Sequence, residues 1–89
     1  MEFISGAKEM TKQHDIQNVS VIGKILRIDI DGKSWSFDLA RHSNRLANAT
    51  PAQCANLEIS GSGYGIHWPD VDEDLSINGM IRDEDAFRQ

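Results

Sequence analysis

Ile25-Leu26-Arg27-Ile28-Asp29-Ile30-Asp31-Gly32-Lys33-Ser34-Trp35-Ser36-Phe37-Asp38-Leu39 alternates apolar and polar side chains on either side of an Asp-Gly pair. Leu26, Ile28 and Ile30 share one face, and Arg27, Asp29 and Asp31 share the other, the period of two that marks a half-buried strand. Asp31-Gly32 is a strong short hairpin signal, because glycine accepts positive φ without steric cost. Beyond it Trp35, Phe37 and Leu39 alternate with Ser34, Ser36 and Asp38. Upstream, Val19 and Val21 alternate with Asn18 and Ser20 between Ile16 and Ile22, and Gly23-Lys24 separates that run from the next. The three segments predict an antiparallel meander with one apolar face and one wet face.

Such a face needs a cover, and Ala40–Ala49 predicts a helix carrying Leu46, Ala47 and Ala49. Thr50-Pro51-Ala52-Gln53 starts another. Thr50 caps it, Pro51 stands where its missing N–H costs nothing, and Gln53 reaches back to complete a capping box. Period two resumes in Leu57 and Ile59, turns at Gly61-Ser62-Gly63, and continues in Tyr64, Ile66 and Trp68. Pro69, which lacks a ladder donor, ends this second hairpin. Ser76 reads as the N-cap of a last helix, with Asp72, Glu73 and Asp74 just ahead of it, where the positive end of the helix dipole favours acids. The expected fold is α+β: a small antiparallel sheet of about five strands in two hairpin groups, with short helices on one face. Residues 1–15 form an N-terminal arm, 16–82 a single domain, and 83–89 an acidic, frayed tail.

Composition fits one small domain. The chain has 89 residues, of which 39% are apolar and 26% charged. Its apolar runs fall well short of the roughly 20 residues that span a bilayer, and MEFISGAKEMTKQ lacks the apolar core of a signal peptide. Cys54 is the single cysteine, which excludes an internal disulfide and a cysteine-built zinc site. A cytoplasmic protein is expected. The net charge of −5 is unevenly spread. Residues 1–45 carry seven Lys and Arg against six acids, whereas residues 46–89 carry two against eight. Nucleic-acid binding normally gathers Lys and Arg on one face, so the C-terminal half argues against it and favours a basic protein partner.

His67, Asp70, Asp72, Glu73 and Asp74 are the densest group of ligand-type side chains and the candidate partner-binding residues. Oxygen-rich clusters also hold hard cations, but D-x-D-E-D lacks the glycine and distal glutamate of a calcium loop. Trp68, Pro69 and Ser76 read as structural: a core plug, a turn and a cap. Trp35 and Trp68 both sit on the apolar side of their strands. Cys54 with His14, His42 or His67 is the one conceivable nucleophile–base pair, yet Cys54 stands at an apolar helix position where a thiol acts as a small hydrophobe. Gly61-Ser62-Gly63-Tyr64-Gly65 runs from strand to strand, unlike a phosphate loop, which runs from strand to helix. No catalytic residue, cofactor or metal is assigned.

Gly63-Tyr64-Gly65-Ile66-His67-Trp68-Pro69-Asp70-Val71-Asp72-Glu73-Asp74-Leu75-Ser76-Ile77, with Leu46–Gln53 and Asn56–Ile59 before it, resembles a bacterial family of small domains, domain of unknown function 2442. That family shows a G-I-H-W-P-x-x-D-E-D-[LI]-S-[VI] signature, and the likeness covers roughly residues 16–82. Where the family has a pattern like P-L-S-x-x-P-x-L, this chain reads Asp38-Leu39-Ala40-Arg41-His42-Ser43-Asn44-Arg45-Leu46, so the helix entry differs locally. The resemblance implies no enzymatic activity or cofactor. It implies instead an association with mobile DNA and with toxin-like proteins encoded nearby. Some members are fused to a helix-turn-helix; this chain is expected to stop after one domain, which argues against direct DNA binding. The leading expectation is a non-enzymatic, antitoxin-like regulatory protein that binds a basic partner through its acidic C-terminal face and self-associates as a dimer. The alternatives are a metal or small-molecule site, with or without catalysis, at His67 and the acidic run, and an accessory nucleic-acid domain using Lys24, Arg27 and Lys33.

Overall fold

The computed structural model describes residues 13–87; the expected arm therefore lies outside the described residues except for Gln13, His14 and Asp15. Strands β1 (Ile16–Ile22), β2 (Ile25–Ile30) and β3 (Lys33–Asp38) form an antiparallel meander in that order. Ile30 pairs with Lys33, leaving Asp31-Gly32 as a two-residue turn with φ of +53° and +85°. Both values are positive, as the twist-matched hairpin turn requires. Strand β1 carries a bulge between Gln17 and Ser20, where Asn18 has φ +53° and its amide donates to Asp29 at 2.7 Å. Such an irregularity blunts an edge strand.

The predicted helix over residues 40–49 is two short ones, α1 (Leu39–His42) and α2 (Asn44–Ala47). Ser43 divides them. It is extended (φ −157°, ψ 128°) and buried, and its hydroxyl accepts from Leu46 N at 3.2 Å while donating to the Glu73 carboxylate. Serine competes with helix backbone for hydrogen bonds, so it caps better than it propagates. Asp38 caps α1 by accepting from Ala40 N. Helix α3 (Pro51–Ala55) has the predicted capping box: Thr50 Oγ1 accepts from Gln53 N at 3.1 Å, and Gln53 Oε1 accepts from Thr50 N at 3.0 Å.

The second sheet corrects the sequence reading in one respect. Strands β4 (Glu58–Ile59) and β5 (Gly65–Trp68) are followed by a sixth strand, β6 (Glu73–Ser76), in the order β4-β5-β6. Trp68 pairs with Glu73, so Pro69–Asp72 is a hairpin turn rather than a lead-in to a helix, and Asp72 takes φ +54° there. The acids of residues 72–74 therefore do not lie at the N-terminal end of the last helix, α4 (Ile77–Phe87), whose first turn carries no acid. Ser76 does supply its hydroxyl to Gly79 N at 2.9 Å. Helix α4 continues beyond Arg82 to Phe87. The Phe87 ring meets His42 edge-on at 5.2 Å and lies under the Arg41 guanidinium, while Glu84 bonds His42 at 3.1 Å.

Leu26, Ile28, Ile30 and Phe37 from the first sheet join Leu39, Leu46 and Cys54 from the helices in one core with Ile66, Trp68, Ile77 and Met80. Trp68 is fully buried, and its indole donates to the Cys54 carbonyl at 2.9 Å. Trp35 is only half-buried; it stacks on Phe37 with Lys33 over its ring. No described helix is long and apolar enough to cross a membrane.

Candidate functional site

The β5–β6 hairpin carries all five candidate residues, and it divides them by strand face. Asp70, in the turn, accepts from the Asn56 amide at 2.9 Å. Arg45 donates to the carbonyls of Val71 and Asp72, fastening the turn to α2. Glu73 turns inward and takes the Ser43 hydroxyl on one oxygen and Asp74 N on the other. These contacts hold the hairpin against the helices. His67 and Asp74 face the other way. They pair directly across the strands, and His67 Nδ1 donates to Asp74 Oδ1 at 2.8 Å. The Asp74 side chain is 76% exposed and that of His67 38%.

Glu58 is the residue that the sequence reading missed. It pairs with His67 from the other side, so Glu58, His67 and Asp74 form one row across all three strands. The alternation of Leu57 and Ile59 already puts Glu58 on the outer face. The register across a loop with four glycine and serine residues, Ser60 to Gly63, is what the sequence does not specify. Beside the row lies a groove of about 430 Å³ lined by Glu58, Tyr64, Gly65, His67, Asp74 and Ser76 among others. Gly65 pairs with Ser76 and offers no side chain to fill the outer face there. Tyr64 is 56% exposed. No Lys or Arg among the described residues makes an ion pair with Glu58 or Asp74.

This arrangement presents two carboxylates and an imidazole to whatever enters the groove. The nearby serine hydroxyls are engaged in the fold: Ser60 accepts from Tyr64 N and Gly65 N, and Ser76 caps α4. Among the described residues no three His, Cys, Asp or Glu side chains converge as metal ligands do. Three other titratable groups have structural roles. Asp29 accepts from Asn18 and Ser34, and those hydrogen bonds hold its carboxyl below the usual range. His42 is buried between Phe37 and Phe87. The Cys54 thiol faces the Leu46 carbonyl, and burial pushes its pKa up despite the opposing charge of Lys24. Folded protein at pH 8 is expected to react with a thiol-specific disulfide reagent at least ~100-fold more slowly than unfolded protein, because only an opened state exposes the thiolate. Stopped-flow labelling with and without denaturant checks this; equal rates would mean an accessible cysteine.

A family model described as "Protein of unknown function (DUF2442)" matches residues 16–86. This chain belongs to that family. Among solved structures, the DUF2442 chain is similar to a crystal structure of a protein of unknown function from Rhodospirillum rubrum ATCC 11170. The two are 25% identical with a TM-score of 0.67, over 81% of this chain and 89% of the other. No curated protein matches the chain.

Proposed function

We propose that this DUF2442 chain is a non-enzymatic interaction protein that binds a basic segment of a partner protein on the outer face of its second sheet. The observation that carries the reading is the Glu58–His67–Asp74 row, which has no Lys or Arg ion-pair partner among the described residues and stands beside a groove walled by an exposed tyrosine. Two carboxylates offer charge-assisted hydrogen bonds to a guanidinium or ammonium group. The exposed Tyr64 ring supplies an aromatic surface of the kind that binds such a cation and its aliphatic stem. Tyrosines of this kind are enriched among interface hot spots. The excess of eight acids over two bases in residues 46–89 adds long-range steering toward a basic surface. The family resemblance supplies the class of partner: a toxin-like protein encoded nearby, which this chain would neutralise or regulate in the cytoplasm. Self-association as a dimer belongs to the same reading and is supported by Ile22 and Ile25, which are 69% and 39% exposed at the β1–β2 tip.

Calorimetry of the full chain against the product of the adjacent gene tests the proposal. A complex of micromolar affinity or better is expected. The Glu58→Gln/Asp74→Asn double variant should weaken it at least ~10-fold, the loss of one or two charge-assisted contacts. Its melting temperature should stay within about 2 °C of the parent, because exposed charge pairs contribute little stability. Absence of a complex, or one indifferent to the double variant, would overturn the reading. Light scattering that finds a strict monomer at high concentration would overturn the dimer.

A further inference from the structure

Away from this groove, one imidazole joins three separate parts of the fold. The His14 side chain is 14% exposed. Its Nδ1 lies 2.7 Å from Asp31 Oδ2, in the β2–β3 turn, and its Nε2 lies 2.7 Å from Oδ1 of Asn78, the second residue of α4. The backbone around it is fastened as well. Gln13 N and His14 N donate to the Ser62 carbonyl in the β4–β5 turn, Asp15 N donates to Asp31 Oδ1, and Asp31 N donates to the Asp15 carbonyl. Gly63, at φ +73°, lies so close that a Cβ there would stand 2.1 Å from His14 O.

Both ring nitrogens therefore face oxygens, and an oxygen accepts. A neutral imidazole has one N–H and one lone pair, so it satisfies one of these partners and repels the other. The doubly protonated ring satisfies both. We infer that His14 is a proton-operated latch: its imidazolium form ties residues 13–15 to the β2–β3 turn and to α4, and loss of the proton releases one of the two ties. The inference stands independently of the partner-binding groove.

The electrostatic surroundings agree with the geometry. His14 has a pKa raised above 6.5, first by the hydrogen bond to Asp31, against the lowering effect of burial, with Asn78 and the Asp31 charge adding to the rise. Asp31 is the carboxylate that faces the ring. Asp15 lies on the same segment, with a carboxylate oxygen toward the Gln17 amide at 3.4 Å. Helix α4 presents the uncharged Asn78, and residues 60–63 of the β4–β5 turn contain no titratable side chain. Because the folded value is raised, the latch contributes fully below pH 6.5, and its contribution is lost as pH rises through the folded value.

Nitrogen-15 spectra of the histidine rings in the full chain, recorded from pH 5.5 to 9, test the inference. The expected result is a His14 ring protonated on both nitrogens at pH 6.5, with a titration midpoint above 6.5. In Asp31→Asn the midpoint should fall below that of the parent, and the exchange protection of the backbone amide at position 31, which varies with pH in the parent as the latch opens, should lose that pH dependence after correction for intrinsic exchange. A second measurement follows stability between pH 6 and 8.5 in the parent and in His14→Gln: the parent should lose stability as pH rises, and the variant should lose less. A single-tautomer ring at pH 6.5, with Nε2 accepting from a rotated Asn78 amide, would overturn the latch. So would a His14→Gln profile that parallels the parent. If His14→Gln does not fold, the ring spectra of the parent and of Asp31→Asn decide alone.

Discussion

Trp68→Ala is expected to destabilise the protein by about 3–5 kcal/mol, the range for removing a buried large aromatic. Trp68 is 0% exposed and is the largest fully buried side chain of the core, set where β5 meets the helices. The substitution removes the indole volume and also orphans the Cys54 carbonyl, which now accepts from Trp68 Nε1 at 2.9 Å. An unsatisfied buried acceptor adds its own penalty. Small domains hold roughly 5–15 kcal/mol in total, so a loss of this size consumes much of the margin. At about 4–8 °C per kcal/mol for a domain of this length, the melting temperature should fall by at least ~12 °C. Urea unfolding of the parent and the variant measures it. The contrast is Asp74→Asn, which alters one exposed carboxylate and should cost under ~1 kcal/mol. A Trp68→Ala protein that melts within a degree or two of the parent would place Trp68 outside the core.

Alternation made most of the fold legible. Val19, Val21, Leu26, Ile28, Ile30, Trp35 and Phe37 mark three strands by period two, and Asp31-Gly32 marks the hairpin between the second and third. The capping box at Thr50 and Gln53 was equally readable, because it is local chemistry between residues three apart. The two departures have a common origin in contacts remote along the chain. Ser43 breaks a helix because Glu73, thirty residues later, accepts its hydroxyl. Glu73–Ser76 is a strand because β5 is available to pair with it, although Glu and Asp are poor strand formers. The same limit applied to the site. His67 and Asp74 were both legible as candidates, yet their pairing, the inward turn of Glu73 and the arrival of Glu58 depend on strand register. In residues 70–74 the acids looked equivalent; burial and hydrogen bonding make them unlike.

Gly63→Ala is the second substitution expected to act strongly, and it acts through backbone alone. Gly63 has φ +73°, a region that costs an L-residue about 1–2 kcal/mol. A Cβ there would stand 2.1 Å from His14 O and 2.9 Å from His14 C, both backbone atoms that cannot rotate away as a side chain can. Residues 13–15 must therefore retreat, and the hydrogen bonds from Gln13 N and His14 N to the Ser62 carbonyl go with them. At about 1 kcal/mol for each net hydrogen bond, the two bonds and the backbone cost together give an expected loss of roughly 3–4 kcal/mol. Two other glycines separate the contributions. Gly32→Ala meets nothing within 4 Å but shares a positive φ, so it should show the conformational cost without the clash. Gly61→Ala meets nothing within 4 Å and has no such φ, so it should be nearly neutral. Thermal unfolding of the three variants should rank them Gly63, Gly32, Gly61. In Gly63→Ala the His14 ring should also titrate closer to its ordinary value of 6.5, because the segment that presents it to Asp31 and Asn78 has been displaced. A Gly63→Ala protein no less stable than Gly61→Ala, with its His14 titration unchanged, would mean that residues 13–15 do not lie against the β4–β5 turn.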